Sequence, residues 1–233
     1  DAWPQLDMPA DRIAVVEASI SRRLPVPAIN ILKPARVRLF TVSPKQIFDA
    51  LAATRDYATA DSSPPGDVLG SPTAVWEMPF NRKQNTREIT YIDLNRALNK
   101  QNGLVFVEVK SMELNLRDQN DSVYRQLLVN VTNLGLTVRY DENAIHALVT
   151  GLSDGKPRAG IPVKIFVHTS KGIQQTWEGV TRADGTLQAP GSVRNTLVIA
   201  GEDNDKTFVI LDGSGEDSGG YVSSYSEYYR PPE

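Results

Sequence analysis

Apolar and polar positions alternate with a period of two through much of this chain, the pattern of half-buried β-strands. In "ARVRLFTV" Val37, Leu39 and Thr41 fall on one face, with Arg36, Arg38, Phe40 and Val42 on the other. "VWEMPF" alternates through Trp76, Met78 and Phe80, and its Pro79 suits an edge strand. "REITYIDL" and "LVFVEVKSM" read as further strands, the second rich in strong β-formers. "QLLVNVTNLGLTVRY" resumes extended structure after a polar excursion. The opening "DRIAVVEASISRRL" fits two periods. Ile13, Val16, Ile20 and Leu24 have helical spacing, while Val16, Ala18 and Ile20 alternate. The following "PVPAINILKP" suits an extended edge and tips the reading to strand. Two stretches break the alternation. "SPKQIFDALAA" carries a capping box at Ser43 and Gln46, Pro44 at the first helical position, and a stripe of Ile47, Phe48 and Leu51. It predicts a short helix near 43–53. "DLNRALNKQNG", with Asp93 as cap and Gly103 as stop, predicts helical turns near 93–102. "YATADSSPPGDVLGSP" is a loop by composition.

Beyond residue 130 the texture changes. Strand-like segments recur at Leu134–Tyr140, Ala144–Leu152, Ile161–Thr169, Ile173–Val180 and Thr196–Leu211, the last split by "GEDND". Turn chemistry fills the gaps, and the spacing predicts an antiparallel sandwich of about seven strands. The turn residues singled out are Asp154, Gly155, Pro157, Gly160, Pro162, Asp184 and Gly185. Asp bonds its own backbone and Gly supplies the positive φ of a tight turn. Pro157 and Pro162 bracket a strand start and blunt an edge. Val163, Ile165 and Val167 then alternate onto one face. The expected organisation is an extended N-terminal segment or first strand at 1–29, a domain with the two short helices at 30–128, a sandwich at 129–213, and a Gly/Ser/Tyr-rich linker at 214–233. The fold class is mainly β: two antiparallel sandwiches of Ig-like or fibronectin-III-like type, the first with one or two short helices.

Chemistry is sparse. The 233 residues carry 25 basic and 28 acidic side chains, so no basic excess draws nucleic acid or an anionic membrane. No apolar run of about 18 residues spans a bilayer. The first residue is Asp rather than Met, which suggests a processed or excised piece. With no cysteine there is no disulfide, thiolate metal site or cysteine nucleophile. His146 and His168 stand isolated among strand residues, too few for a zinc site. No G-x-S-x-G elbow appears. The acidic loops at 201–205 and 212–220 hold clustered oxygens but not the EF-hand pattern, so solvated turns are preferred to calcium sites. The glycines of the tail form no phosphate loop, since no Lys follows them. Asn120 and Asn130 head glycosylation sequons by pattern only. Tyr221, Tyr225, Tyr228, Tyr229 and Arg230 read as a segment that packs on a neighbouring domain, with a sticky binding tail as the alternative. No catalytic, cofactor or metal residues are predicted.

The order of segments resembles a known family. "VTNLGL", then "GLSDGKPRAGIPVKIF", then "GVTRADGTLQAP" looks like a macroglobulin-type domain of the bacterial alpha-2-macroglobulins. Asn133 stands where that family's strand usually has Asp. The closing "EYYRPPE" is similar to the start of a following macroglobulin domain, with Pro232 in place of a glycine. "ARVRLFTVSPKQIFDAL" and "TREITYIDLNRALNKQNGLVFVEVK" resemble the preceding domain. The resemblance implies a periplasmic or surface-exposed protease trap, in which a bait region is cut and a thioester can acylate the protease. It places this chain upstream of both, as spacer modules without catalysis. The partners would be other domains of the same polypeptide and, through the intact protein, target proteases. The other reading is an adhesion or binding module of a bacterial surface protein built from similar sandwiches.

Overall fold

The computed structural model describes residues 4–10, 12–55, 66–80, 84–115, 121–141, 143–191, 194–202, 204–211, 221–223 and 227–228. The chain divides into two compact units, one formed by 1–16, 20–131 and 227–233, the other by 17–19 and 132–226.

The first unit holds strands β1 (Gln5–Leu6), β2 (Ile13–Glu17), β3 (Arg23–Ile29), β4 (Ala35–Val42), β5 (Ala74–Met78), β6 (Arg87–Asp93), β7 (Gly103–Asn115) and β8 (Asp121–Thr132). A 3-10 turn, Pro44–Gln46, leads into helix α1 (Ile47–Arg55), and two single-turn helices follow, α2 (Gly66–Leu69) and α3 (Asn95–Leu98). One sheet has the order β1-β3-β6. A six-stranded sheet places β2, β8, β7, β4 and β5 side by side, with β5 at its edge as Pro79 suggests. Its central strands are buried on both faces. Val37, Leu39, Val105, Val107, Val109, Leu127 and Val129 alternate with Phe40, Phe106 and Leu128, and all are fully buried. The Phe40 and Phe106 rings meet edge to face at 6.2 Å. Each such side chain stabilises by about 1.5–3 kcal/mol on leaving water. Helix α1 buries Ile47, Ala50 and Leu51, and Arg12 donates to its Leu51 carbonyl at 3.2 Å.

Several expectations change here. The N-terminal segment is not one strand but three, β1 to β3. The stretch read as an extended edge is β3, the middle strand of its sheet. Its prolines survive there because of parity. Pro27 turns its carbonyl to Asp7, 2.9 Å away, so Pro25 and Pro27 face away from β6 and remove no bond from that ladder. The capping-box helix forms, with Gln46 Oε1 accepting from the Ser43 N–H at 3.1 Å. The second helix is only Asn95–Leu98. Asp93 Oδ1 accepts from the Asn95 N–H at 3.0 Å. The stop is Asn99 and Lys100, at φ 47° and 65°, rather than Gly103.

The second unit is a sandwich of two four-stranded sheets. Its strands are β9 (Leu134–Tyr140), β10 (Ala144–Gly151), β11 (Pro162–Thr169), β12 (Gly172–Val180), β13 (Thr186–Pro190), β14 (Thr196–Glu202), β15 (Asp205–Leu211) and β16 (Tyr221–Ser223). The sheet orders are β13-β10-β9-β16 and β12-β11-β14-β15. Alternate residues of both close the core, among them Leu136, Val138, Val149, Val163, Ile165, Leu187, Val198 and Val209. Two features escaped the sequence reading. β13 is five residues long and ends on a proline, so only Leu187 and Ala189 carry its period. β12 holds a bulge: the register slips between Ile165, opposite Trp177, and Phe166, opposite Gln175. The extra residue turns Trp177 against the core, within a strand that the sequence had placed at Ile173–Val180.

The tail read as a linker contributes two edge strands. β16 pairs antiparallel with β9, and β17 (Glu227–Tyr228) pairs with β2 in parallel. Edge pairing uses backbone groups only and leaves little mark on side-chain pattern. Residues 212–220, with their acidic loop and glycines, lie outside the described residues, as do Asn120, Tyr225, Tyr229, Arg230 and Pro232.

Candidate functional site

The structure brings the two Asp-Gly turns and the first proline together at one end of β10. Asp154 Oδ1 accepts from the Lys156 N–H at 3.1 Å and from Arg158 Nη2 at 2.9 Å. Gly155 takes φ +63°, and its N–H donates to the Gly151 carbonyl. Pro157 then bridges Thr150, and Arg158 N–H donates to the Val149 carbonyl. In the other turn Asp184 Oδ1 accepts from the Thr186 N–H at 3.0 Å and hydroxyl at 2.6 Å. Gly185, at φ +74°, accepts from the Val149 N–H. A Cβ on Gly185 would sit 2.8 Å from both Pro157 Cβ and the Val149 carbonyl oxygen. The turns therefore share Val149: its carbonyl serves one and its N–H the other. Gly160, at φ +70°, donates to the carbonyl of Thr181, just before Pro162 opens β11. Thr181, 3% exposed, completes the weave, its hydroxyl donating to the Arg158 carbonyl and accepting from the Ile161 N–H. Nothing in the sequence marked Thr181, since its partners lie 20 or more residues away.

The "VTNLGL" stretch is a second polar assembly. The Thr132 hydroxyl donates to Asp205 Oδ1 at 2.5 Å and accepts from the Leu134 N–H at 3.1 Å. The Asn133 N–H donates to the same carboxylate, while Asn133 Oδ1 accepts from the Ser19 N–H at 2.9 Å. The Asn133 side chain is used as an acceptor, a role an Asp would fill equally. Leu134 and Leu136 enter the core. A Cβ on Gly135 would meet Thr150 Oγ1 at 2.8 Å, so a side chain there would force the Thr150 hydroxyl to shift. Asp205 was noticed in the sequence only as one acid of a loop. Its carboxylate is occupied by Thr132 and Asn133, and no group of three His, Asp or Glu among the described residues is arranged to hold a metal ion.

In the first unit the sequence missed a buried charge cluster on β4, β7 and β8. Arg38 pairs with Glu108, Tyr124 donates to the other Glu108 oxygen, and Gln126 donates to the Tyr124 hydroxyl. The side chain of Glu108 is 3% exposed and that of Arg38 is 21% exposed. Burial, then the carboxylate beside it, push the Tyr124 phenol well above its ordinary range. His146 lies 3.2 Å from Asp141, both exposed. His168 sits in β11, its N–H bonded to the Asn195 carbonyl. The two histidines belong to different sheets and to no common site. Asn130, head of a sequon, is 1% exposed on β8. None of these groups forms a nucleophile with an adjacent base.

No protein-family model matches the sequence, and no curated protein sequence matches it. Solved structures do match the fold. Native alpha-2-macroglobulin from Escherichia coli spanning domains NIE-MG1 superposes with a TM-score of 0.67 at 20% identity, over 91% of this chain and 98% of that one. The same protein spanning MG0-NIE-MG1 gives 0.62 at 20% identity, over 91% of this chain and 65% of that one. Salmonella alpha-2-macroglobulin gives 0.56 at 18% identity, and this chain spans 12% of its length. The chain thus has the fold of a two-domain segment of these much longer proteins.

Proposed function

We propose that the chain is a pair of structural domains in a bacterial alpha-2-macroglobulin-like protease inhibitor of the cell envelope, holding neighbouring domains in place and catalysing nothing itself. The observation that carries this is the fold match to the NIE-MG1 segment, which covers both units and almost all of that structure. The polar groups agree with it. The Asp-Gly turns, the Thr132–Asp205 assembly and the Arg38–Glu108–Tyr124 cluster each join strands or turns through their own hydrogen bonds. No helix among the described residues is long and apolar enough to cross a membrane. By the same analogy, the MG0-NIE-MG1 structure implies a further domain ahead of these two.

The test is a trapping assay on the full-length gene product. Incubated with an endopeptidase, it should block cleavage of a large protein substrate while sparing hydrolysis of a small peptide substrate. The 233-residue chain alone should be folded and inactive in the same assay. Inhibition by these residues alone would contradict the spacer role, and a full-length protein that never hinders an endopeptidase would contradict the inhibitor reading.

A further inference from the structure

We infer that the outer face of the β1-β3-β6 sheet is the docking surface for a β-sandwich domain that precedes this chain in the same polypeptide. The inference rests on the proposed function, which supplies the existence of that domain. The face itself is read from the structure. Leu24, Val26, Ala28 and Ile92 point inward and are buried. The alternate residues lie on the opposite face: Pro25 is buried, Pro27 and Ile29 are half-buried, and Ile89 and Tyr91 on β6 are 52% and 43% exposed. Pro27 pairs with Ile89 and Pro25 with Tyr91, so the apolar groups are contiguous rather than scattered. Single exposed apolar residues are ordinary, but a contiguous cross-strand set marks a contact surface. β6 is also an edge strand. Because Pro25 and Pro27 face β1, Tyr91 and Ile89 opposite them have backbone groups that point away from β3.

The occupant follows from where the chain enters. β1, at Gln5–Leu6, is the first strand and forms the other edge of this same sheet, pairing with Ala28 and Ile29. Two inter-strand steps of about 4.8 Å separate β1 from β6. A domain carried ahead of β1 on the same polypeptide meets this face intramolecularly, at an effective concentration set by the connecting segment. Intramolecular docking lets a modest patch suffice.

Hydroxyl-radical footprinting tests this in the 233-residue chain and in the natural polypeptide that carries the preceding domain. Labelling of Tyr91 and Ile89 is expected to fall about fivefold or more in the longer protein, with buried Phe40 and Phe106 unlabelled in both. A Tyr91→Ser, Ile89→Ser variant should leave the 233-residue chain folded with only a modest fall in Tm, since both side chains are about half exposed, and should restore labelling of Pro27 and Ile29 in the longer protein. Equal labelling of Tyr91 with the preceding domain present overturns the docking inference alone. A gene that encodes no such domain overturns the proposed function on which it rests. Protection that appears in the 233-residue chain as its concentration rises would assign the face to a second copy, and also overturns it.

Discussion

Alanine at Gly185 and at Gly155 should have very different costs, although the two Asp-Gly turns look alike in sequence. Both glycines are left-handed, at φ +74° and +63°. An alanine held there costs roughly 1–2 kcal/mol, offset by about 0.4–1 kcal/mol from the stiffer unfolded chain. At Gly155 nothing lies within 4 Å of the added methyl, so the cost stops near about 1 kcal/mol. At Gly185 the methyl meets Pro157 Cβ and Val149 O at 2.8 Å and Arg158 N at 3.0 Å. Two of those atoms are backbone and the third is a proline ring, so none can rotate aside. Overpacking of that kind adds about 1–3 kcal/mol, giving a total of about 2–4 kcal/mol. In a domain of roughly 100 residues each kcal/mol moves Tm by about 4–8 °C, so the two variants separate clearly. Urea denaturation followed by circular dichroism measures both, and hydrogen exchange at the Val149 and Arg158 amides reports whether the loss is local. Losses equal within about 0.5 kcal/mol would refute the convergence of the two turns on Val149.

The charge cluster predicts an asymmetry. Arg38→Met strands the buried Glu108 carboxylate and should cost about 2–4 kcal/mol, whereas Glu108→Gln leaves an Arg38 that can turn to water and should cost less than half as much. Urea melts of the two variants settle the order, and the reverse ranking would show that Glu108 is not the desolvated partner. In the second unit Asp205→Ala orphans the Thr132 hydroxyl and the Asn133 N–H and should cost about 1–3 kcal/mol, with Asp205→Asn milder because one acceptor remains. Equal stability of all three proteins would remove Asp205 from the assembly.

What could be read in the sequence was whatever is local. The period-two strands, the Ser43–Gln46 cap and the chemistry of each separate turn depend on residues within a few positions, and they are where the pattern places them. Strand β3 shows the limit. Its prolines mark an edge by composition, yet the parity of Pro25 and Pro27 relative to β6 lets them sit in mid-sheet, and parity against a partner 60 residues away leaves no local trace. The same holds for Thr181, Asp205 and Glu108, whose partners are brought together by topology alone. β16 and β17 escaped because ladder hydrogen bonds need no apolar alternation. Ile173–Val180 was legible as a strand, but its bulge was not, because one inserted residue before Trp177 reverses the faces midway along it.

The protonation states of these groups bear on the choice between scaffold and catalyst. A general acid needs a carboxyl group held protonated near neutral pH, by burial or a like charge. The turn acids are driven the other way. Backbone N–H donation from Lys156 and the Arg158 guanidinium lower Asp154; the Thr186 hydroxyl and N–H lower Asp184; the N–H groups of Asn143 and Ala144, with His146, lower Asp141. Each carboxylate is stabilised in its charged form by donors of its own turn, so its acceptor capacity is spent on backbone geometry. Tyr124 is pushed upward and stays a neutral donor to Glu108, unfit as a nucleophile or base. Acids fixed as acceptors, a phenol fixed as a donor and Gly185 pressed against backbone each hold strands or turns together through their own partners.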